Sequence, residues 1–150
     1  MNEIRDIDFD IIFSFWKYKL WPDRISPIES HSAMLYMSDN YDIGNFLLPV
    51  WYLGYVVDNK IIGVNSGHLC VDGSARSRGL WVDILYRGNG IGIELLRETI
   101  KKSKLFDINF VWSFCRQNSK RTYESAGFTM TSEWIPSETN VNNCYCRTGI

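Results

Sequence analysis

The chain has 150 residues, 45% of them hydrophobic and 22% charged. That length fits a single domain burying roughly 70% of its unfolded surface, and so apolar a chain is not disordered. The net charge of -1, from 16 Lys/Arg against 17 Asp/Glu, argues against general binding to nucleic acid or to an anionic membrane.

The longest uncharged stretch, residues 43–57, is broken by Pro49 and Gly54 and falls short of the ~20 residues a membrane-spanning helix needs. Residues 1–10 carry Glu3, Arg5, Asp6, Asp8 and Asp10 with no apolar run, so a cytoplasmic location is the expectation. Cys70, Cys115, Cys144 and Cys146 are expected as buried reduced thiols. Cys144 and Cys146 are too close along a strand for an unstrained bond, and no CxxC pair or zinc spacing with His31 and His68 exists. Residues 1–75 hold 5 basic against 10 acidic groups and residues 76–150 hold 11 against 7, an asymmetry that favours a cationic ligand for the first half.

No repeat or Pro/Ser-rich linker divides residues 1–150. Residues 7–20 read as an amphipathic helix, with Ile12, Phe13, Trp16 and Leu20 at helical spacing before Trp21-Pro22. A second helix is expected over residues 28–37, after Pro27, followed by a loop over 39–44. Residues 50–57 (VWYLGYVV) are apolar on both faces, as in a covered strand. Asp58-Asn59 makes a two-residue hairpin turn into a partner strand over 60–71, and a third strand is expected over 80–85. Residues 90–104 form the clearest helix, with Ile91, Leu95, Leu96 and Ile100 on one face. A strand over 108–114, a short helix over 119–126 closed by Gly127, and strands over 128–134 and 144–147 complete the order.

Between the third strand and the long helix stands Tyr86-Arg87-Gly88-Asn89-Gly90-Ile91-Gly92. Helices ordinarily begin with a capping side chain that satisfies free N–H groups; here the first acid is Glu94. Glycines let a ligand approach the backbone, and exposed amides at a helix start bind anions. The spacing is neither a dinucleotide GxGxxG nor a P-loop. A plain flexible glycine turn is the other reading of such a loop.

Arg87-x-x-Gly90-x-Gly92 after an apolar strand, within LWVDILYRGNGIGIELL, resembles the acyl-CoA signature of the GNAT superfamily of N-acyltransferases. Asn118, Tyr123 and Gly127-Phe128 downstream resemble that family's second motif, and the two together span residues 80–134. The resemblance implies an α+β fold with a mixed, mostly antiparallel central sheet of six to seven strands flanked by helices. It also implies acetyl-CoA as co-substrate and no metal. Backbone amides of Arg87, Gly88, Asn89, Gly90, Ile91 and Gly92 would hold the CoA pyrophosphate. The pantetheine arm would pair with Val82 and Ile84, with the Val82 amide polarising the thioester carbonyl. Tyr123 would protonate the departing thiolate, Asn118 would bond the pantetheine region, and Lys120 or Arg121 would reach the nucleotide phosphate.

The implied reaction is direct attack of an amine on the thioester, with Glu29 or His31 as candidate base. Ser77 and Arg78 stand where some relatives carry a glutamate, and Asp83 alternates away from Val82. His68 reads as a hydrogen-bonded sheet residue, and Trp16, Trp21 and Trp51 as core or as an aromatic acceptor pocket. The expected partner is a small-molecule or peptide amine. The final strand can also pair across a homodimer. Two other classes compete: a non-catalytic acyl-CoA-binding sensor or docking module, and a hydrolase using Cys115 with His31 or His68.

Overall fold

The computed structural model describes residues 2–138 and 140–149. An eight-stranded sheet forms the middle layer: β1 (Asn2–Asp6), β2 (Val50–Val57), β3 (Lys60–Leu69), β4 (Ala75–Val82), β5 (Val111–Arg116), β6 (Thr129–Met130), β7 (Ile135–Pro136) and β8 (Asn142–Thr148). Its order is β1-β2-β3-β4-β5-β8-β6, with β7 also on β8, and every pairing is antiparallel except β4–β5. The α+β mixed sheet is therefore as expected; β1, β7 and the brevity of β6 are the additions.

Asp58 and Asn59 have φ of 49° and 65°, the left-handed pair a two-residue hairpin requires, and they join β2 to β3. Helix α1 (Phe9–Phe15) runs on into one π turn (Trp16–Leu20), covering the expected 7–20 segment. Helices α2 (Ile91–Ser103) and α3 (Lys120–Ser125) follow the expected bounds closely.

Alternation sorts the two helical layers onto opposite faces. A Cβ on Gly63 would meet Leu95 and Ile91 of α2, and Asn65 Nδ2 donates to Thr99 Oγ1 at 2.8 Å. The intervening Val64 packs against Ile12, Trp16 and Leu20 of the α1 layer.

Four expectations are corrected. Residues 28–37 are not helical: Tyr36 packs on Phe110, Trp112 and Tyr145, and Asn45 Nδ2 donates to the carbonyls of Ser32 and Met34. Those side-chain bonds and rings hold an irregular strap across the sheet, and they outweigh helix propensity. The third strand is β4, starting at Ala75 and ending at Val82, because Asp83 turns the chain by accepting from the Leu85 amide at 2.9 Å. Ile84 therefore sits past the strand in a 3-10 turn and is 74% exposed. The final strand β8 has β5 on one side and β6 and β7 on the other, so its pairing across a dimer is closed.

Candidate active site

Strands β4 and β5 start as parallel neighbours and then part. They pair at Ala75–Val111 and Arg76–Trp112, and beyond that β4 continues to Val82 with no β5 ladder partner among the described residues. A bulge at Gly79 (φ 81°) bends β4 at this place. Trp16 packs directly on it: its Nε1 donates to the Gly79 carbonyl at 2.9 Å, and a Cβ on Gly79 would lie 2.3 Å from that nitrogen, so only glycine fits. The Asp83 amide donates to the Ile62 carbonyl of β3 at 2.8 Å, so alternation turns the N–H and C=O of Val82 toward the split. Arg87 Nε donates to that Val82 carbonyl at 2.9 Å.

The split opens into a groove of about 480 Å³, lined by Leu80, Val82, Arg87, Gly88, Gly90, Gly92 and Asn118 among others. Gly90 is the N-cap of α2 with φ 77° and no side-chain cap, and Gly88 has φ 84°. A Cβ on either glycine would meet nothing within 4 Å. The two are therefore set by backbone conformation, and the space above them is open to a ligand. The Glu94 amide donates to the Gly90 carbonyl at 3.0 Å, the first bond of the helix. The amides of Ile91, Gly92 and Ile93 precede it and have no intrahelical acceptor, which with the helix dipole makes this end an anion seat. A diphosphate fits the donors present.

A second cleft, about 510 Å³, lies on the other side of the split. Both clefts are lined by Leu20, Leu80, Arg116 and Ser119, so they meet there. The second is walled by Trp21, Arg24, Met34, Arg76, Arg78 and Tyr123, among others. Tyr123 is 3% exposed and packs edge-on against Phe128. Ser113 Oγ is placed to donate to two oxygens, the Ser77 carbonyl at 2.8 Å and the Tyr123 hydroxyl at 3.3 Å. Burial pushes the phenol well above its ordinary value, so it is protonated at neutral pH.

Several sequence candidates do not converge on either cleft. Glu29 is exposed, and its backbone carbonyl accepts from Arg78 Nη1 at 2.9 Å. His31 has both ring nitrogens engaged, with Ser30 Oγ and the Leu48 carbonyl, each at 2.8 Å. His68 is buried, and desolvation pushes it down to about 3, so it stays neutral. Asn89 bonds the Tyr86 carbonyl through its side chain, and Lys120 and Arg121 are exposed outside the groove lining. Of the three tryptophans, only Trp21 lines a cleft; Trp16 is core and Trp51 stacks on Phe106. Cys115 lines the second cleft without a histidine, its Sγ lying 3.6 Å from Met130 Sδ, so the Cys-His hydrolase has no dyad here. All four cysteines are free and buried.

Arg76 and Arg78 line the second cleft without belonging to either sequence motif. Their signal is ARSRG before an apolar run, where period-two alternation puts both arginines on one face.

Among the described residues no group of three or more His, Cys, Asp or Glu can hold a metal, and no helix is long and apolar enough to cross a membrane. No curated protein matches the chain. Solved structures do. An IAA acetyltransferase from Bacillus cereus is 14% identical with a TM-score of 0.69, covering 100% of both chains. An acetyltransferase of the GNAT family from Staphylococcus aureus is 15% identical with a TM-score of 0.66 over 99% of both. A PaiA N-acetyltransferase from Thermoplasma acidophilum, in complex with coenzyme A, is 15% identical with a TM-score of 0.65, covering 100% of this chain and 99% of that one. The family model described as "Acetyltransferase (GNAT) domain" matches residues 51–130, more than half of the sequence. The chain belongs to the GNAT acetyltransferase family, whose members use acetyl-CoA.

Proposed function

We propose that this chain transfers an acetyl or short acyl group from acyl-CoA to a primary amine, with both substrates held at once. The observation that carries this reading is the meeting of two clefts of similar size where β4 and β5 part. One offers an uncapped helix start and a strand edge that turns the Val82 N–H to the split; the other offers side chains. Bringing the reactants together at that join supplies much of the acceleration.

Acetyl-CoA supplies an activated thioester carbonyl; the rest is the work of the chain. Amides of residues 87–92 bind the diphosphate, and Asn118 bonds the pantetheine arm from the opposite wall. The Val82 N–H, turned to the split, donates to the carbonyl oxygen, a contact worth up to ~3–4 kcal/mol when well aimed. Tyr123 holds a proton on its hydroxyl for the departing sulfur, with Ser113 fixing its orientation.

No side chain stands out as base. Among the described residues lining the acceptor cleft, Glu138 is the one carboxylate. Bonds from Ser26 Oγ and N–H stabilise its charged form and lower its proton affinity, making it a poor base. The amine therefore loses its proton to cleft water.

A thermal-shift titration tests the reading. Acetyl-CoA at about 100 times its Kd should add ~2.7 kcal/mol, a rise of several degrees. Thiol release on adding an amine then marks an enzyme. Stabilisation with no thiol release across an amine panel leaves the sensor or docking module, and no stabilisation contradicts both.

A further inference from the structure

The acceptor cleft holds more buried positive charge than acetyl transfer requires. Arg76 and Arg78 leave the same face of β4, are 8% and 4% exposed, and both line the cleft. The ion pairs found among the described residues, Arg5–Glu3 and Lys102–Asp6, involve neither. Arg78 stacks on Trp16 and Trp21, with its carbon centre 4.9 and 5.4 Å from the ring centroids, and donates to the Glu29 carbonyl. Arg76 lies 4.8 Å over Trp112; its Nη1 is 3.6 Å from Met34 Sδ, and its buried Nε has no partner. Arg24 and Arg116 line the same cleft, where among the described residues Glu138 is the one carboxylate and faces Arg24.

Rings and carbonyls orient a guanidinium without cancelling its charge. Burial pushes Arg76 down to about 10, still charged at neutral pH. A buried cation that lines a cleft without a counter-ion leaves charge for an anionic ligand to neutralise. Two guanidinium forks two residues apart on one strand, about 7 Å, flank a single planar acceptor such as a carboxylate.

We propose that the acceptor is a small amine carrying a carboxylate, and that Arg76 and Arg78 seat that carboxylate. This rests on the acetyl-transfer reading for the amine's fate, with its nitrogen directed toward the join with the acyl-donor groove. The cleft volume suits a small molecule. The acidic groups of residues 1–75, which favoured a cationic acceptor, line neither cleft. A polyamine would instead meet desolvated like charge.

Calorimetric titration of the common α-amino acids and β-alanine, each paired with its carboxamide, and of spermidine tests this, with and without saturating coenzyme A. The expected result is that at least one acid binds tighter than its amide by about tenfold or more. That preference should vanish in Arg76→Gln and Arg78→Gln while coenzyme A affinity is kept. As a second readout, Arg76→Met should raise the melting temperature of the ligand-free protein by roughly 2–4 °C, because it removes an uncompensated buried charge. No acid outbinding its amide, spermidine outbinding every acid, a preference that survives both substitutions, or a lower melting temperature would overturn the proposal. A carboxylate preference in a protein that fails to bind coenzyme A would remove acetyl transfer and keep the anion seat.

Discussion

The two clefts that meet at Leu80 and Arg116 are made of different material. The acyl-donor groove is mostly backbone: consecutive amides at the start of α2, two glycines at positive φ and the edge of β4 that parts from β5. The acceptor cleft is side chains brought from the segment after α1, the irregular strap, β4, β5, α3 and the approach to β8. In the proposed function, backbone donors at fixed spacing would read the diphosphate shared by every acyl-CoA, and four arginines and a few rings would read the amine. One surface would then be generic to the chemistry while the other sets selectivity.

That division is open to direct attack by substitution. The largest effect is expected from Gly90→Val. A β-branched residue at φ 77° is strained by ~1–3 kcal/mol, and losing charge-assisted amide contacts adds more. Calorimetry should show coenzyme A binding weakened by roughly 1,000-fold or more, with the carboxylate preference of the acceptor cleft retained. Equal loss at both clefts would erase the distinction. Tyr123→Phe comes next: steady-state kinetics should show kcat lowered on the order of 100-fold, with coenzyme A affinity unchanged. A matching loss of coenzyme A affinity would return Tyr123 to a packing role.

The pH profile sharpens the same point. Burial raises the Tyr123 hydroxyl above its ordinary value near 10, so its proton is present below that value and lost only above it. The kcat profile should show no descending limb below about pH 10; a limb between pH 7 and 9 would exclude Tyr123 as the acid. The smallest effect is expected from Arg121→Ala. The residue is exposed and outside the groove lining, so coenzyme A affinity should change by no more than about twofold.

How much was legible in the sequence follows from the same difference in material. Helix α2, the β2–β3 hairpin and the glycine cradle lie within short stretches, and the local periods and turn residues that announce them also build them. Strand β1 is not legible in the sequence because it is a charged edge with only Ile4 half-buried, so no alternation marks it. The 28–37 segment was misjudged because distant partners, Asn45, Arg78 and Tyr145 among them, decide its path. Most instructive is the start of β4. Ala75-Arg76-Ser77-Arg78-Gly79 reads as polar loop, yet these residues are almost wholly buried strand. The arginines that hid the strand are those that charge the acceptor cleft. The two candidate bases, Glu29 and His31, were placed by region alone, and a region does not specify which way a side chain points.

A crystal structure grown with coenzyme A examines the central assignment most directly. Diphosphate oxygens should lie against the amides of residues 87–92, with the pantetheine arm beside Val82 and the thiol at the mouth shared with the arginine-lined cleft. Coenzyme A bound elsewhere, or solvent alone above Gly88 and Gly90, would contradict it.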